Sequence, residues 1–477
     1  MAIPEDTAAP ESKGAPESGV MPEPGVMPES GSALPDSVNH ESAVIEEARR
    51  SLVATADPAL TEEPPAPAAA PDPARVRVTI PARASSFWRD NKHGLAIALV
   101  GTVALRVVTE WVALVSQYGV RFPHLVARQP NLLFGVWAHW DVGYYESIAQ
   151  YGYAGRTVGH GQAAGSIAFA PLYPLGIRLV HVVTHLGYNA SAELLSAGAL
   201  FVAVAALHRT IVQARSRPVA ATSIFVLLAF PTSFFLLAPY PEALGLALVT
   251  LTFMAVRRRQ WLLAGLLAAA ATMTKYYLAV IVVALVYEVW ERRRERARNG
   301  EALGTWEHEA IRASAVTIPT LGAMGLWMVY QQNHIGDAYA FLHAQERQWH
   351  RHLAAPWTLF HRTISDLVHW RFLDTSTASV TELFDFVTVI ILAVVALYVF
   401  LRVRRSYGIL LGLCWCVYTF QTYLLGVTRE VLVLFPLFFG VGLWASRSPW
   451  RERALMVLMI PCAYFLIQRY VTGAFAG

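Results

Sequence analysis

Apolar segments long enough to cross the ~30 Å hydrocarbon core of a bilayer recur between residues 94 and 471. Inside a bilayer each segment has to satisfy its own backbone hydrogen bonds, and a helix does so. Of the 477 residues, 55% are hydrophobic and only 15% are charged, whereas roughly a quarter of the residues in soluble proteins are charged. The sequence therefore predicts an all-α, polytopic membrane protein.

The first 85 residues differ in composition, being rich in Pro, Ala, Glu and Ser. Such a segment buries too little apolar surface to offset its ordering entropy. We therefore predict a disordered tail over 1–85 and a membrane domain over 86–477. The tail has no basic region followed by an apolar one, as a signal peptide would. Arg83, Arg89 and Lys92 precede the first apolar segment and predict a cytoplasmic N-terminus in the plasma membrane.

The topology depends on the segment 166–186, whose apolar pattern is interrupted by Pro171, Pro174 and Arg178. If this segment lies in the membrane interface, every Arg cluster falls on the cytoplasmic side, at 257–259, 292–294, 402–405 and 447–453. We therefore predict a non-spanning or re-entrant segment at 166–186. About eleven transmembrane helices follow from this topology, at 94–118, 191–212, 218–236, 240–257, 260–274, 277–291, 311–331, 384–402, 406–425, 429–446 and 453–471.

This topology places the loops 119–165 and 332–383 outside the cell. The same face receives several charged or polar residues from distant parts of the sequence, namely Asp141, Tyr240, Glu242, Lys275 and Arg429. We expect these residues to form an extracytoplasmic site.

Asp141 is a lone carboxylate among aromatic residues, in the loop that follows the first predicted span. An acid in such a setting is costly to keep unless something uses it. As a general base it would take a proton from an acceptor hydroxyl. Trp140 and Tyr145 could stack on sugar faces, and His139 could hydrogen-bond near the acid. The alternative is an interfacial aromatic belt in which the acid caps a short helix.

Three further residues each have a functional and a structural interpretation. Lys275, between two short predicted helices, could bind a lipid phosphate or could snorkel to the interface. Glu242, at a predicted helix start, could belong to the site or could complement the helix dipole. Arg429 also stands at a predicted helix start, where a cation is unfavourable, which favours an anionic partner.

The loop 332–383 mixes aromatic and charged residues, among them Arg347 and Trp349. It could be a lid facing the acceptor or plain interfacial surface. The histidines and the three cysteines form no metal-ligand spacing, so we expect no metal site. The sequence has no nucleotide-binding loop and no basic stripe interleaved with aromatics, so we expect no cofactor and no nucleic-acid partner.

With these residues described, the chain resembles the PIG-V family of GT-C membrane mannosyltransferases (GPI mannosyltransferase 2-like), as a bacterial member. The resemblance extends over blocks between about 130 and 440. They are Trp140-Asp141 with Tyr145, Ile148, Ala149 and Gly152-Tyr153, then Ala168 to Leu175, then Phe230 to Phe235 with Tyr240 and Glu242, then Gly336-Asp337 with Phe341, Gln345 and Trp349 to Arg351, and finally Arg429 with Leu434 to Phe438.

The resemblance implies a GT-C helical bundle and a polyprenyl-phosphate-linked sugar donor, usually mannose. It also implies metal-independent transfer to an acceptor hydroxyl with inversion, and Asp141 as the general base. Tyr240 and Glu242 would shape the donor end of the cavity, and Lys275 and Arg429 would steady the departing phosphate. The family usually has Arg followed by a Pro/Gly-containing turn where this chain has Lys275. Lysine keeps the charge but loses bidentate phosphate geometry.

Two other functions fit the same pattern. The interrupted helices near 166–186 and 274–277 suggest a flippase or transporter for a lipid carrier, although no inverted repeat accompanies them. The departure at Lys275 suggests an accessory membrane subunit without catalysis. For the enzyme, the acceptor could be a lipid, an envelope glycan or a protein.

Overall fold

The computed structural model describes residues 82–119, 135–153, 163–369 and 377–477. Within these ranges the secondary structure is helical, and the one β-type pairing is an isolated bridge between Leu353 and Gln421. The all-α prediction is therefore confirmed for the described residues. The predicted tail over 1–85 lies outside them except for its last four residues, which begin the first helix. The rest of the chain falls into one compact unit, Thr79–Gly477.

Fifteen α-helices of ten or more residues occur in the described ranges. They are α1 Ala82–Gly119, α2 Val142–Tyr151, α3 Leu172–Thr184, α4 Tyr188–Ala214, α5 Arg217–Leu228, α6 Glu242–Arg257, α7 Trp261–Thr274, α8 Ile281–Arg298, α9 Trp306–Ile335, α10 Ala340–Trp349, α11 Pro356–Val368, α12 Thr377–Arg402, α13 Arg405–Thr419, α14 Phe435–Ala445 and α15 Pro449–Val471.

Five of the described helices are long and apolar enough to cross a membrane on their own, and six if one bent pair counts as a span. The five are Asn91–Ser116, Tyr188–Ala214, Trp306–Ile335, Val380–Arg402 and Pro449–Val471. Other predicted spans coincide with shorter helices, such as the 12 residues of α5 and the 14 of α7. The number of eleven spans therefore remains a prediction.

The helix α3 occupies the predicted interfacial segment. Its 13 residues fall short of the ~20 that a single span needs. Tyr173 and Ile177 are buried on one face, while Leu179 and Val183 are about two-thirds exposed on the other. An apolar outer face on so short a helix fits the predicted non-spanning position.

Two predicted spans are interrupted in the structure. The segment 218–236 is α-helical only to Leu228 and then continues as a 3-10 turn, Ser233–Leu236. The segment 429–446 is broken at Leu434, where the turns Val427–Val433 meet α14 at 88°. The break has a local cause, because Pro436 cannot donate to the preceding turn and is favoured in the first turn of a new helix.

The break predicted near Lys275 is confirmed. The helix α7 ends at Thr274, Lys275 is extended, and a 3-10 turn over Tyr276–Val280 leads into α8. Consequently the predicted span 277–291 begins its α-helix four residues later, at Ile281. The two breaks, at Lys275 and at Leu434, carry the charged residues of the site described next.

Candidate functional site

Five charged side chains from four distant parts of the sequence meet in one network. Arg429 Nη1 lies 2.9 Å from Asp141 Oδ2, and Arg429 Nε lies 3.3 Å from Glu242 Oε1. Lys275 Nζ lies 3.0 Å from Glu242 Oε1 and 3.0 Å from Glu430 Oε1. The structure thus brings together four of the residues singled out from the sequence and adds Glu430.

Asp141 stands at the start of α2, and its backbone carbonyl accepts the amides of Tyr144 and Tyr145. Its carboxylate does not cap the helix, so the interpretation of Asp141 as a side-chain cap is wrong. The carboxylate instead contacts Arg429 and is 22% exposed, whereas Glu242 is fully buried. Asp141 is therefore the more exposed of these two acids, and Glu430, 3.9 Å from Arg429 Nη2, is 19% exposed.

The backbone around Asp141 is held in an uncommon conformation. Trp140 has φ +58°, a left-handed value that a bulky residue adopts only when its surroundings impose it. The preceding carbonyl of His139 accepts the hydroxyls of Tyr240 at 3.1 Å and Tyr470 at 3.3 Å. Tyr470 also donates to the carbonyl of Trp137. Two buried tyrosines therefore fix the position of the acid.

Tyr240 and Tyr145 are structural contacts in this arrangement. Tyr240 is buried, and the guanidinium of Arg429 lies over its ring at 5.0 Å. Tyr145 is buried among the rings of Phe169, Tyr173 and Tyr240. Tyr240 thus acts on the site through the His139 carbonyl and through Arg429.

Lys275 does not snorkel to the interface, because it is 8% exposed and bridges two carboxylates. Its extended backbone at the end of α7 turns the side chain toward Glu242, the first residue of α6. A compact ammonium suits this position, since it places one donor on each of two acids without the planar fork of an arginine. Lys275 thus joins the carboxylates of Glu242 and Glu430 through a single ammonium group.

Glu430 was not selected from the sequence, although it follows Arg429 at the edge of an apolar run. The turn that carries both residues is held by Asp385 of α12. The fully buried carboxylate of Asp385 accepts the amide and the hydroxyl of Thr428 at 2.7 and 2.8 Å. The sequence could have singled out Asp385, because this acid lies inside the predicted span 384–402.

Arg351 is a third cation near the network. Its Nε is buried and finds no hydrogen-bond acceptor among the described residues, and no described carboxylate forms an ion pair with it. Burial lowers the pKa of its guanidinium, while the nearby charge of Glu430 raises it. The group still remains protonated. The preceding residue, His350, has φ +51°, so this segment is also held in a left-handed conformation.

The other residues predicted from the external loops lie around the network. Trp349 contacts the rings of Tyr144 and Phe169, and Trp140 is 48% exposed. His139 keeps a buried Nε2 without a hydrogen-bond partner, and burial lowers its pKa. Arg347 is exposed, and within the described part of the chain its side chain donates to the carbonyl of His343 on its own helix and lies near Asp337 rather than in the network.

Among the described residues no group of three or more His, Cys, Asp or Glu side chains could hold a metal ion. The network contains three carboxylates and two cations, so its own acids already offset the charges of Lys275 and Arg429. An additional anion would therefore meet its least committed positive charge at Arg351.

No protein-family model matches this chain, and no curated protein matches it. A search of solved structures finds the oligosaccharyltransferase of Archaeoglobus fulgidus. Its apo form is 10% identical at a TM-score of 0.37 over 79% of this chain and 56% of that chain. Its complex with Zn and sulfate is 11% identical at 0.36 over 78% and 53%. The complex of the same archaeal oligosaccharyltransferase, AglB, with an inhibitory peptide and a dolichol-phosphate is 10% identical at 0.37 over 79% and 56%. The chain spans about half the length of these proteins.

Proposed function

We propose that this protein is a membrane glycosyltransferase of the GT-C type. It would transfer a sugar, mannose by resemblance, from a polyprenyl-phosphate carrier to an acceptor hydroxyl on the extracytoplasmic side. The observation that carries the proposal is the partly exposed Asp141 carboxylate, oriented by Arg429 at the edge of a buried charge network. A carboxylate fixed in this way suits a general base.

The reaction is a single displacement at the anomeric carbon. Asp141 accepts the proton of the acceptor hydroxyl while the oxygen of that hydroxyl bonds to the anomeric carbon. The bond from the carbon to the phosphate oxygen breaks on the opposite face, and the phosphate leaves with the electron pair. Inversion follows from attack opposite to the leaving group. Arg429 holds the carboxylate in place at 2.9 Å, which lowers the cost of ordering it for each turnover.

The donor phosphate needs positive charge more than a proton as it leaves. Lys275 retains one N–H after its contacts with Glu242 and Glu430, and Arg429 is shared between Asp141 and Glu242. Among the described residues, no carboxylate forms an ion pair with Arg351, and its Nε has no hydrogen-bond acceptor. We therefore assign the donor phosphate to Arg351 together with the remaining donor of Lys275, with Arg429 acting chiefly on the base.

Glu242 and Tyr240 act as positioning residues in this proposal, because their contacts are to Lys275, Arg429 and the His139 carbonyl. The rings of Trp140 and Trp349 offer apolar faces beside the acid for the acceptor or the sugar.

The base is tested by Asp141→Asn in the purified full-length protein, given polyprenyl-phosphate mannose and a panel of lipid, glycan and peptide acceptors. Removing a general base should lower transfer by about 10²–10⁴-fold. The control is Glu346→Gln, which neutralises a 54% exposed acid on α10 and should leave transfer unchanged. Transfer at the wild-type rate by Asp141→Asn, with normal insertion, would disprove the role of Asp141.

The donor site is tested by Arg351→Gln. Losing a charge-assisted contact of ~1.5–3 kcal/mol should raise the KM for the donor by about 10–100-fold. Arg178→Gln is the control, since Arg178 is an exposed cation on α3. An unchanged donor KM for Arg351→Gln would refute this assignment while leaving the transfer reaction intact. Carrier translocation in proteoliposomes without any sugar transfer would instead support the flippase.

A further inference from the structure

A cavity of about 230 Å³ lies at the end of α7 opposite Lys275. The 14 residues of α7 separate the two by ~21 Å along the helix axis. Five arginines line the cavity, namely Arg259, Arg292, Arg293, Arg296 and Arg312. Three of them lie on α8, where Arg296 follows Arg292 by four residues and Arg293 by three and is therefore a surface neighbour of both.

Carboxylates only partly neutralise these arginines. Glu309 lies 2.8 Å from Arg312 but 3.5 Å from Arg293 and 3.8 Å from Arg296. One acid therefore serves three guanidiniums, two of them beyond hydrogen-bond distance. Glu301 is 3.4 Å from Arg296, again a long contact.

Arg292 is paired with Glu288 at 2.8 Å. Glu295, the other acid that lines the cavity, lies 3.1 Å from Arg404, which does not line it. The five arginines therefore carry more charge than the acids around them neutralise.

Arg259 has no counter-charge at all within the described residues. Its guanidinium forms no hydrogen bond or ion pair there, and its backbone has φ +62° in the turn between α6 and α7. A left-handed conformation in a long-chain residue is uncommon and is retained where the surroundings require it. Arg259 is therefore the cation of this cavity most available to a ligand.

The surroundings of the cavity favour a lipid over a soluble ligand. Trp261 lines it, and Trp306 stacks on Arg293 at 4.1 Å. Tryptophan is enriched at the boundary between headgroups and hydrocarbon. Directly along α7, Leu262 and Leu266 are more than half exposed. Apolar surface thus begins where the basic cavity ends, which is the arrangement that acyl chains below a phosphate need.

We propose that this cavity binds the phosphate headgroup of an anionic phospholipid, with Arg259 as the principal phosphate ligand. The guanidiniums of Arg293 and Arg296 contribute the charge that Glu309 leaves unneutralised. The site is independent of sugar transfer, because it lies at the other end of α7.

The test uses the purified full-length protein in nanodiscs of phosphatidylcholine with or without phosphatidylglycerol. Retained lipid is counted by native mass spectrometry, and the unfolding midpoint is measured in parallel. Arg259→Gln should lower phosphatidylglycerol retention about fivefold, as expected for one cation near a membrane surface. Arg258→Gln should leave retention unchanged, since Arg258 is an exposed neighbour that does not line the cavity. Arg259→Lys should restore most of the retention.

Three results would overturn the proposal. The first is equal retention by Arg259→Gln and Arg258→Gln. The second is equal retention of phosphatidylcholine and phosphatidylglycerol by the wild-type protein. The third is stabilisation by inorganic phosphate as large as that by phosphatidylglycerol, because it would identify a soluble phosphate as the ligand.

Discussion

At the scale of single residues, the site depends on how each charge is compensated. Glu242 is fully buried and is held by one ammonium and one guanidinium. Breaking a buried pair by removing one partner leaves an uncompensated charge, which costs far more than the pair contributes when intact. The pairing of Glu242 with Arg429 therefore also holds the guanidinium that positions Asp141.

His139 gives a prediction about pH. Burial lowers its pKa from the ordinary value, so the unfolded chain takes up this proton before the folded protein does. Below about pH 6.5 the unfolded state therefore binds more protons, and the stability of the fold decreases as the pH falls. His139→Gln should reduce this acid dependence of the thermal unfolding midpoint.

The control for this measurement is His361→Gln, which alters an exposed imidazole on α11. Its acid dependence should match that of the wild type. Identical pH profiles for the wild type and His139→Gln would show that His139 does not cause the loss of stability at low pH.

At the scale of elements, the site is built where helices break. The turn Val427–Glu430 and the extended Lys275 replace continuous helix and turn polar side chains inward. Irregular backbone inside an apolar bundle is tolerated where the surrounding protein satisfies it. At the turn Val427–Glu430 the carboxylate of Asp385 satisfies the backbone by accepting hydrogen bonds from the amide and the hydroxyl of Thr428.

The packing of α7 against α9 gives a second prediction. A Cβ on Gly265 would lie 2.1 Å from the Ala315 carbonyl oxygen and 3.0 Å from Val316 Cα, both backbone atoms of α9. Gly265→Ala should therefore push the helices apart and destabilise the protein by ~1–3 kcal/mol. Thermal unfolding in one detergent measures the effect.

Gly322 on α9 is a matched control, because a Cβ there meets nothing within 4 Å. Gly322→Ala removes backbone entropy from the unfolded chain and should be neutral or stabilising by ~0.5–1 kcal/mol. Equal midpoints for the two variants would contradict the close approach of α7 and α9.

At the scale of the whole molecule, the site joins residues that lie far apart in the chain. Asp141 and Arg429 are 288 positions apart in the sequence, and Lys275 and Glu430 are 155 positions apart. A further chain of contacts links the loop to α1, since Trp137 donates to Glu110 at 2.8 Å, and Glu110 pairs with Arg106. The geometry of the site therefore depends on the packing of helices that lie far apart in the chain.

The predicted tail gives a third prediction. A protein starting at residue 79, with an added initiator Met, should show unchanged sugar transfer and an unchanged unfolding midpoint, because the site contacts described above involve residues from Arg106 onward. A deletion through residue 92 also removes Arg83, Arg89 and Lys92, and should produce a mixture of orientations in the membrane. Protease protection of the C-terminus measures this. Loss of transfer in the shorter deletion, with normal insertion, would assign the tail a role.

The helical class, the position of most helices and the candidate Asp141 can be read from the amino-acid order alone, because hydropathy and an isolated acid are local properties. The sequence also marked Lys275 and Arg429, since cations are rare and costly in such surroundings. The pairing of these charges follows from the folded arrangement of the helices. The sequence cannot show that Glu430 and Glu242 occupy the ammonium of Lys275, nor that Arg351 remains without a carboxylate. Electrostatic pairing acts over a few ångströms, and those distances are set by the packing of helices that lie far apart in the chain.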